Sequence, residues 1–310
     1  MNPPAFTQVL VKIKPLLKRA FIFYAFLFLL AAVLVNHDRI RFGYKIRILD
    51  TLMPVSFNYL LDHMIDQKYA PSDLRPFTSF YKKVTDFFPN EADAWGMLGF
   101  CHFYEGRTKE AVDDYQKAVE LEPKFFWFYH NLGVVYFKQG EYLKAIDVTK
   151  QGLRRNPQDS LQFIASSTVI YRSLLLSLKN QNINLTKRME QGYRNSYKML
   201  ILSYYELKDF HEMLRIADIV TRMEVEGKDE FYYYAGVAAY ELKAYEQAKQ
   251  YLEISIKLNS TVQANSFLAL SLQGLGQKEK ANTILKRIKP FKDNEINFIV
   301  NVNDITLMIL

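Results

Sequence analysis

The sequence predicts an all-α protein, a solenoid of stacked helical hairpins preceded by one membrane-spanning helix. Three observations carry this. Residues 95–123, WGMLGFCHFYEGRTKEAVDDYQKAVELEP, and residues 129–157, YHNLGVVYFKQGEYLKAIDVTKQGLRRNP, align without a gap, 34 residues apart. Weaker copies continue that interval on both sides. Ahead of them, Ala20–Val35 is a run of 16 residues without a charge or a strong polar group.

The apolar run comes first in the chain. As a helix it spans about 24 Å, a little less than the roughly 30 Å hydrocarbon core. Asn36 and His37 can extend it, and Lys18, Arg19 and Arg39 can reach the headgroups. A cleaved signal peptide would need a small-x-small site, which LLAAVLVNHD does not offer. A core helix would need a polar face, and this one has none. The expected divisions are a basic tail at 1–19, a transmembrane helix at 20–37 and a connector at 38–57. Lys and Arg are balanced across the span, four on each side, so they do not fix its orientation. A short basic tail commonly stays inside, which puts the body outside the cytoplasm, on the periplasmic side in a bacterium.

Composition narrows the function classes. The 310 residues are 49% hydrophobic and 24% charged, a globular balance. The net charge of +7 is concentrated at the front: residues 1–50 hold eight basic residues against Asp38 and Asp50. The remaining 260 residues are close to neutral, so no basic face for nucleic acid is expected. The single cysteine, Cys101, excludes an internal disulfide framework and a Cys-based zinc cluster.

The repeated residues have physical roles. In the first copy they are Trp95, Leu98, Gly99, His102, Ala111, Tyr115, Ala118 and Pro123. In the second they are Tyr129, Leu132, Gly133, Tyr136, Ala145, Thr149, Gly152 and Pro157. Gly99 with Ala111, and Gly133 with Ala145, suit a close crossing of two helices. Trp95, Leu98 and Tyr115 are expected to fill the space beside it. Pro123 and Pro157 end one unit, and Gly106 and Gly140 close the first helix of each pair. Upstream, Phe77, Tyr81, Val84 and Pro89 fit a divergent unit beginning near Asn58, with Ser72 as an N-cap. Downstream units are read at 194–227, at 229–262 and from Leu268 to Pro290. Residues 160–193 keep the interval but lose the signature, and read as a degenerate hairpin. The solenoid thus covers 58–290 in about seven hairpins, with a capping helix at 291–310.

This pattern resembles the tetratricopeptide repeat, whose signature is W-x2-L-G-x2-Y, then A-x3-F-x2-A, then P. The resemblance implies a right-handed α-solenoid that binds partner proteins or peptides on its concave face. That face, lined by the first helix of each pair, is expected at Phe100, Phe103, Tyr104, Trp127, His130, Phe137, Tyr205, Tyr233 and Tyr240, with Val134, Lys138, Lys198, Leu202, Val237 and Glu241 alongside. Some members clamp a partner's terminal carboxylates with a Lys and an Asn one turn apart. Those positions are Gly96 and Phe100 here, so that capture is not expected. Two readings of the aromatic lining stay open: a partner covers it, or the chain fills it itself, with 160–193 or 43–57.

No catalytic constellation stands beside this. Phosphate loops, H-E-x-x-H, C-x-x-C and G-x-S-x-G are absent. The five histidines lie far apart, and His102 reads as a packing side chain. Glu110, Asp113 and Asp114 are expected on solvated outer faces. The expectation is therefore a non-enzymatic scaffold without cofactor or metal, held to the bilayer through 20–37. It is similar in architecture to the anchored repeat proteins of bacterial envelopes. The alternative is a constitutive accessory subunit of a larger membrane complex, in secretion or surface-polysaccharide machinery.

Overall fold

The structure, a computed structural model, describes residues 71–166 and 185–288, with side chains over 74–163 and 186–288. The tail at 1–19, the span at 20–37, the connector at 38–57, the start of the first unit near Asn58 and the helix expected at 291–310 lie outside the described residues. Among the described residues there is no strand, and no helix is long and apolar enough to cross a membrane.

Twelve helices follow one another among the described residues: α1 Pro71–Phe87, α2 Ala92–Tyr104, α3 Thr108–Leu121, α4 Phe126–Lys138, α5 Tyr142–Leu153, α6 Pro157–Ser166, α7 Leu185–Glu206, α8 Phe210–Thr221, α9 Lys228–Glu241, α10 Tyr245–Leu258, α11 Val262–Gly274 and α12 Lys278–Arg287. Ser72, expected as an N-cap, already lies inside α1. The pairs α2/α3, α4/α5, α7/α8, α9/α10 and α11/α12 are hairpins, each packed on the next, and α1 packs on α2.

The sequence explains the two layers of this stack. Most first helices are apolar nearly all round, α7 being the exception: in α4 every residue from Phe126 to Phe137 is buried. Such a helix must be covered on all sides. Second helices bury only one stripe. In α3 the stripe is Ala111, Asp114, Tyr115 and Ala118, and the remaining residues carry the polar surface. First helices therefore form an inner layer and second helices an outer one. Close crossing between the layers needs small residues. A Cβ on Gly99 would meet the Tyr115 ring at 3.0 Å, and one on Gly133 would meet Thr149 Oγ1 at 2.6 Å and Met199 Cε at 2.8 Å.

The turn within each hairpin needs one residue in the left-handed region. Gly106, Gly140 and Gly276 supply it at φ of 76–78°, while Lys208 and Lys243 adopt it at φ 58° in the other two hairpins. A side chain there costs on the order of 1 kcal/mol.

Much of 160–193, expected as a degenerate hairpin, lies outside the described residues. α7 starts at Leu185 and runs unbroken through Gly192 to Glu206, across the boundary expected at 193. It packs directly on α4 and α5. His130 Nδ1 lies 2.8 Å from Ser196 Oγ, Lys150 Nζ donates to Tyr204 OH at 2.6 Å, and the Tyr193 ring stacks on Phe126 with centroids 4.2 Å apart. The hairpin α7/α8 thus stands next to α4/α5. Gly192 costs the helix about 1 kcal/mol relative to Ala. Burial of Met189, Ser196 and Met199 on either side of it outweighs that.

Candidate functional site

The first helices diverge in what they do with equivalent positions. On α4, Trp127 and His130 are each 1% exposed, so neither presents a surface to a partner. The Trp127 ring sits against Phe125 and Phe126, both at 5.6 Å, and its indole N–H finds no acceptor among the described residues. Phe100, Phe137 and Tyr233 are buried as well. Phe103, Tyr104, Tyr205 and Tyr240 remain half-buried. Of the nine positions expected on that face, five are thus buried and four half-buried. The physical reason is the apolar first helix itself, which the adjacent hairpins enclose; for His130 the covering element is α7. At Gly96 a side chain would run into the Phe128 ring, so a clamp lysine would not fit there.

The repeat residues fall mostly inside. Leu98, Gly99, Ala111, Tyr115, Ala118, Tyr129, Leu132, Gly133, Tyr136 and Ala145 are buried, whereas Pro123 is exposed in a turn and Pro157 is exposed as the first residue of α6. Trp95 departs from expectation. It is only half-buried, and its indole N–H donates to the Pro89 carbonyl at 2.8 Å on the surface.

Farther along, the first helices open. A cavity of about 430 Å³ lies among Arg194, Asn195 and Lys198 of α7, Asp229, Glu230, Tyr233 and Tyr234 of α9, Ser255 of α10, and Thr261 and Gln263 at the start of α11. Asn195, Glu230 and Gln263 occupy the position that Trp127 holds in α4. Lys198 and Tyr233 occupy that of His130. Polar side chains thus replace the indole, and the space stays open.

One carboxylate organises the cavity. Glu230 Oε1 accepts from Lys198 Nζ at 2.5 Å and from Tyr234 O–H at 2.6 Å, and Oε2 accepts from Arg194 Nη2 at 2.8 Å. Burial would raise its pKa, but Lys198, Tyr234 and Arg194 together hold the carboxyl below its ordinary value. Burial pushes the Tyr233 phenol up, so it stays a neutral hydrogen-bonding group. The cavity therefore offers fixed charges, a neutral phenol, amides and a threonine hydroxyl, which suits reading a polypeptide.

Other titratable groups lie elsewhere in the core. His102 Nδ1 meets Asp114 Oδ2 at 2.5 Å, and both residues are buried between α2 and α3. Asp114 is thus not on a solvated face: its place in the inward stripe of α3 turns it to His102. Burial raises its pKa and the His102 contact opposes this. Cys101 is buried, which pushes its thiol up and leaves it unreactive. Among the described residues no group of His, Cys, Asp and Glu could hold a metal ion.

Stacked two-layer hairpins with a cleft on their first helices define an α-helical repeat protein. Residues 99–140 match the family model described as TPR repeat, and 126–159 match that of the tetratricopeptide repeat. Residues 99–159 thus carry tetratricopeptide repeats. It is 22% identical to the TPR repeat-containing protein YpiA of Bacillus subtilis, over 59% of this chain and 43% of that protein. It is 29% identical to Hsp70-Hsp90 organizing protein 3 of Arabidopsis thaliana, over 30% of this chain and 16% of that one. The chain spans less than half the length of these curated relatives. The solved structure of pilF from Pseudomonas aeruginosa shares the fold, with a TM-score of 0.51 at 14% identity over 79% of this chain and 93% of that one.

Proposed function

We propose that the protein is a membrane-anchored scaffold, held to a bilayer through 20–37 with its body outside the cytoplasm. Across α7, α9 and α11 it binds a polypeptide segment of a partner, in assembly of an envelope complex, and it does so without catalysis or cofactor. The observation that carries this is the cavity where three successive first helices present Asn195, Lys198, Glu230, Tyr233 and Gln263 together. The name of the Arabidopsis relative, an organizing protein for Hsp70 and Hsp90, supports a role in bringing proteins together. The capacity for a groove-bound segment follows from fixed polar groups on rigid helices. Detergent extraction of the tagged full chain, followed by identification of what co-purifies, tests the reading. A partner should be retained by the native chain and lost from Tyr233→Ala with Gln263→Ala. A partner retained equally by both would refute the site. Fixed stoichiometry with a single partner would favour the constitutive-subunit reading instead.

A further inference from the structure

A second cavity, of about 390 Å³, opens between α6, the first half of α7 and the loop joining α8 to α9. Its walls are largely apolar, with Leu161 from α6, Met189 and Tyr193 from α7 and Val225 from the loop. They are preformed. Met189 is buried. Tyr193 is fixed by its stack on Phe126 (4.2 Å between centroids, 8° between planes) and by donating to the Arg155 carbonyl at 3.1 Å.

The rim is charged, and its charges do not cancel. Lys187 pairs with Glu226 at 3.2 Å, and Arg194 pairs with Glu230 at 2.8 Å. Glu190 and Glu224 also line the cavity and are exposed, and neither has an ion-pair partner among the described residues. Two carboxylates are left over beside an apolar hole.

We propose that this cavity docks a segment of a partner protein in which a large apolar side chain is flanked by lysine or arginine. The apolar side chain fills the space between Leu161, Met189 and Val225, and the flanking cations meet Glu190 and Glu224. An acidic segment would bring like charges together at the rim and is rejected. Only Arg194 borders both cavities, so this docking does not depend on the cleft across α7, α9 and α11.

Fluorescence anisotropy with the full chain in a neutral detergent tests it. The probes are a labelled nonapeptide with a central phenylalanine between arginines, and the same peptide with glutamates in place of the arginines. The arginine peptide should bind at least about tenfold more tightly, and less so as salt rises. Reversing both rim charges, Glu190→Lys with Glu224→Lys, should weaken it by a similar factor at unchanged melting temperature. Val225→Glu and, on the opposite wall, Leu161→Asp should each weaken it by obstructing the cavity. Equal affinity for the two peptides, or unchanged affinity after charge reversal, would overturn the proposal. So would weakening on charge reversal with neither wall variant having any effect, because the peptide would then lie on the carboxylates and outside the cavity.

Discussion

The hairpin α4/α5 and the hairpins α7/α8 and α9/α10 use one repeat frame to opposite ends. In α4 the second and fifth positions are Trp127 and His130, both inside the core. At the equivalent points of the repeat frame α7 has Asn195 with Lys198 and α9 has Glu230 with Tyr233, all lining an open cavity. The frame fixes which side chains point inward. Their size and polarity then decide whether the space is filled or left for another molecule. The α4/α5 hairpin holds a closed aromatic core, and the hairpins after it a cleft.

The sharpest way to break this contrast is to empty the closed core. Trp127→Ala should cost about 3–5 kcal/mol, the range for deleting a large buried aromatic. Chemical denaturation of the full chain in detergent measures it. A variant as stable as the parent would mean that the indole is not core, and the two regions would no longer differ.

The open cleft should respond to charge. Glu230→Gln leaves Lys198 and Arg194 without their shared carboxylate, at a cost of about 1–3 kcal/mol near neutral pH. The pH dependence has a defined sign. The folded-state pKa of Glu230 lies below its ordinary 4.5, so its contribution is present above that value. It is lost as pH falls through the folded-state pKa. The gap between parent and variant should therefore close in acid, and a gap that widens there would contradict the assigned pairing.

Much of the contrast could be read from residues, and some could not. Gly99 and Gly133 announced the helix crossings because only a missing side chain fits at those separations. Trp127 was legible as inward-facing, but the sequence left open whether a partner or the chain covers it. The position of α7 was hidden because the interval placed a boundary at 193, which falls within an unbroken helix supported by buried neighbours on both sides. Asp114 was misread since a carboxylate on a second helix usually faces water, and only the pairing with His102 brings it inside. The ion pairs on Glu230 were invisible as well, because they join residues 32 and 36 positions apart.

Two smaller effects sharpen the account. Trp95 occupies the signature position of its repeat but is half-buried, so Trp95→Ala should cost about 1–2 kcal/mol, well below the loss at Trp127. Equal losses at the two tryptophans would show that the signature and not burial sets the energy. Lys243→Gly relieves a left-handed residue at φ 58° and should raise stability by up to about 1 kcal/mol. Thermal melts compared with Gly276→Ala, which should lose a similar amount, check the sign.

The most direct measurement is hydrogen–deuterium exchange of the full chain, alone and with its co-purified partner. The account predicts new protection at 194–198, 229–234 and 261–263, where the first helices of α7, α9 and α11 open, and no change over 126–137. Protection centred on 126–137, with the α7–α9–α11 cleft unaffected, would contradict it.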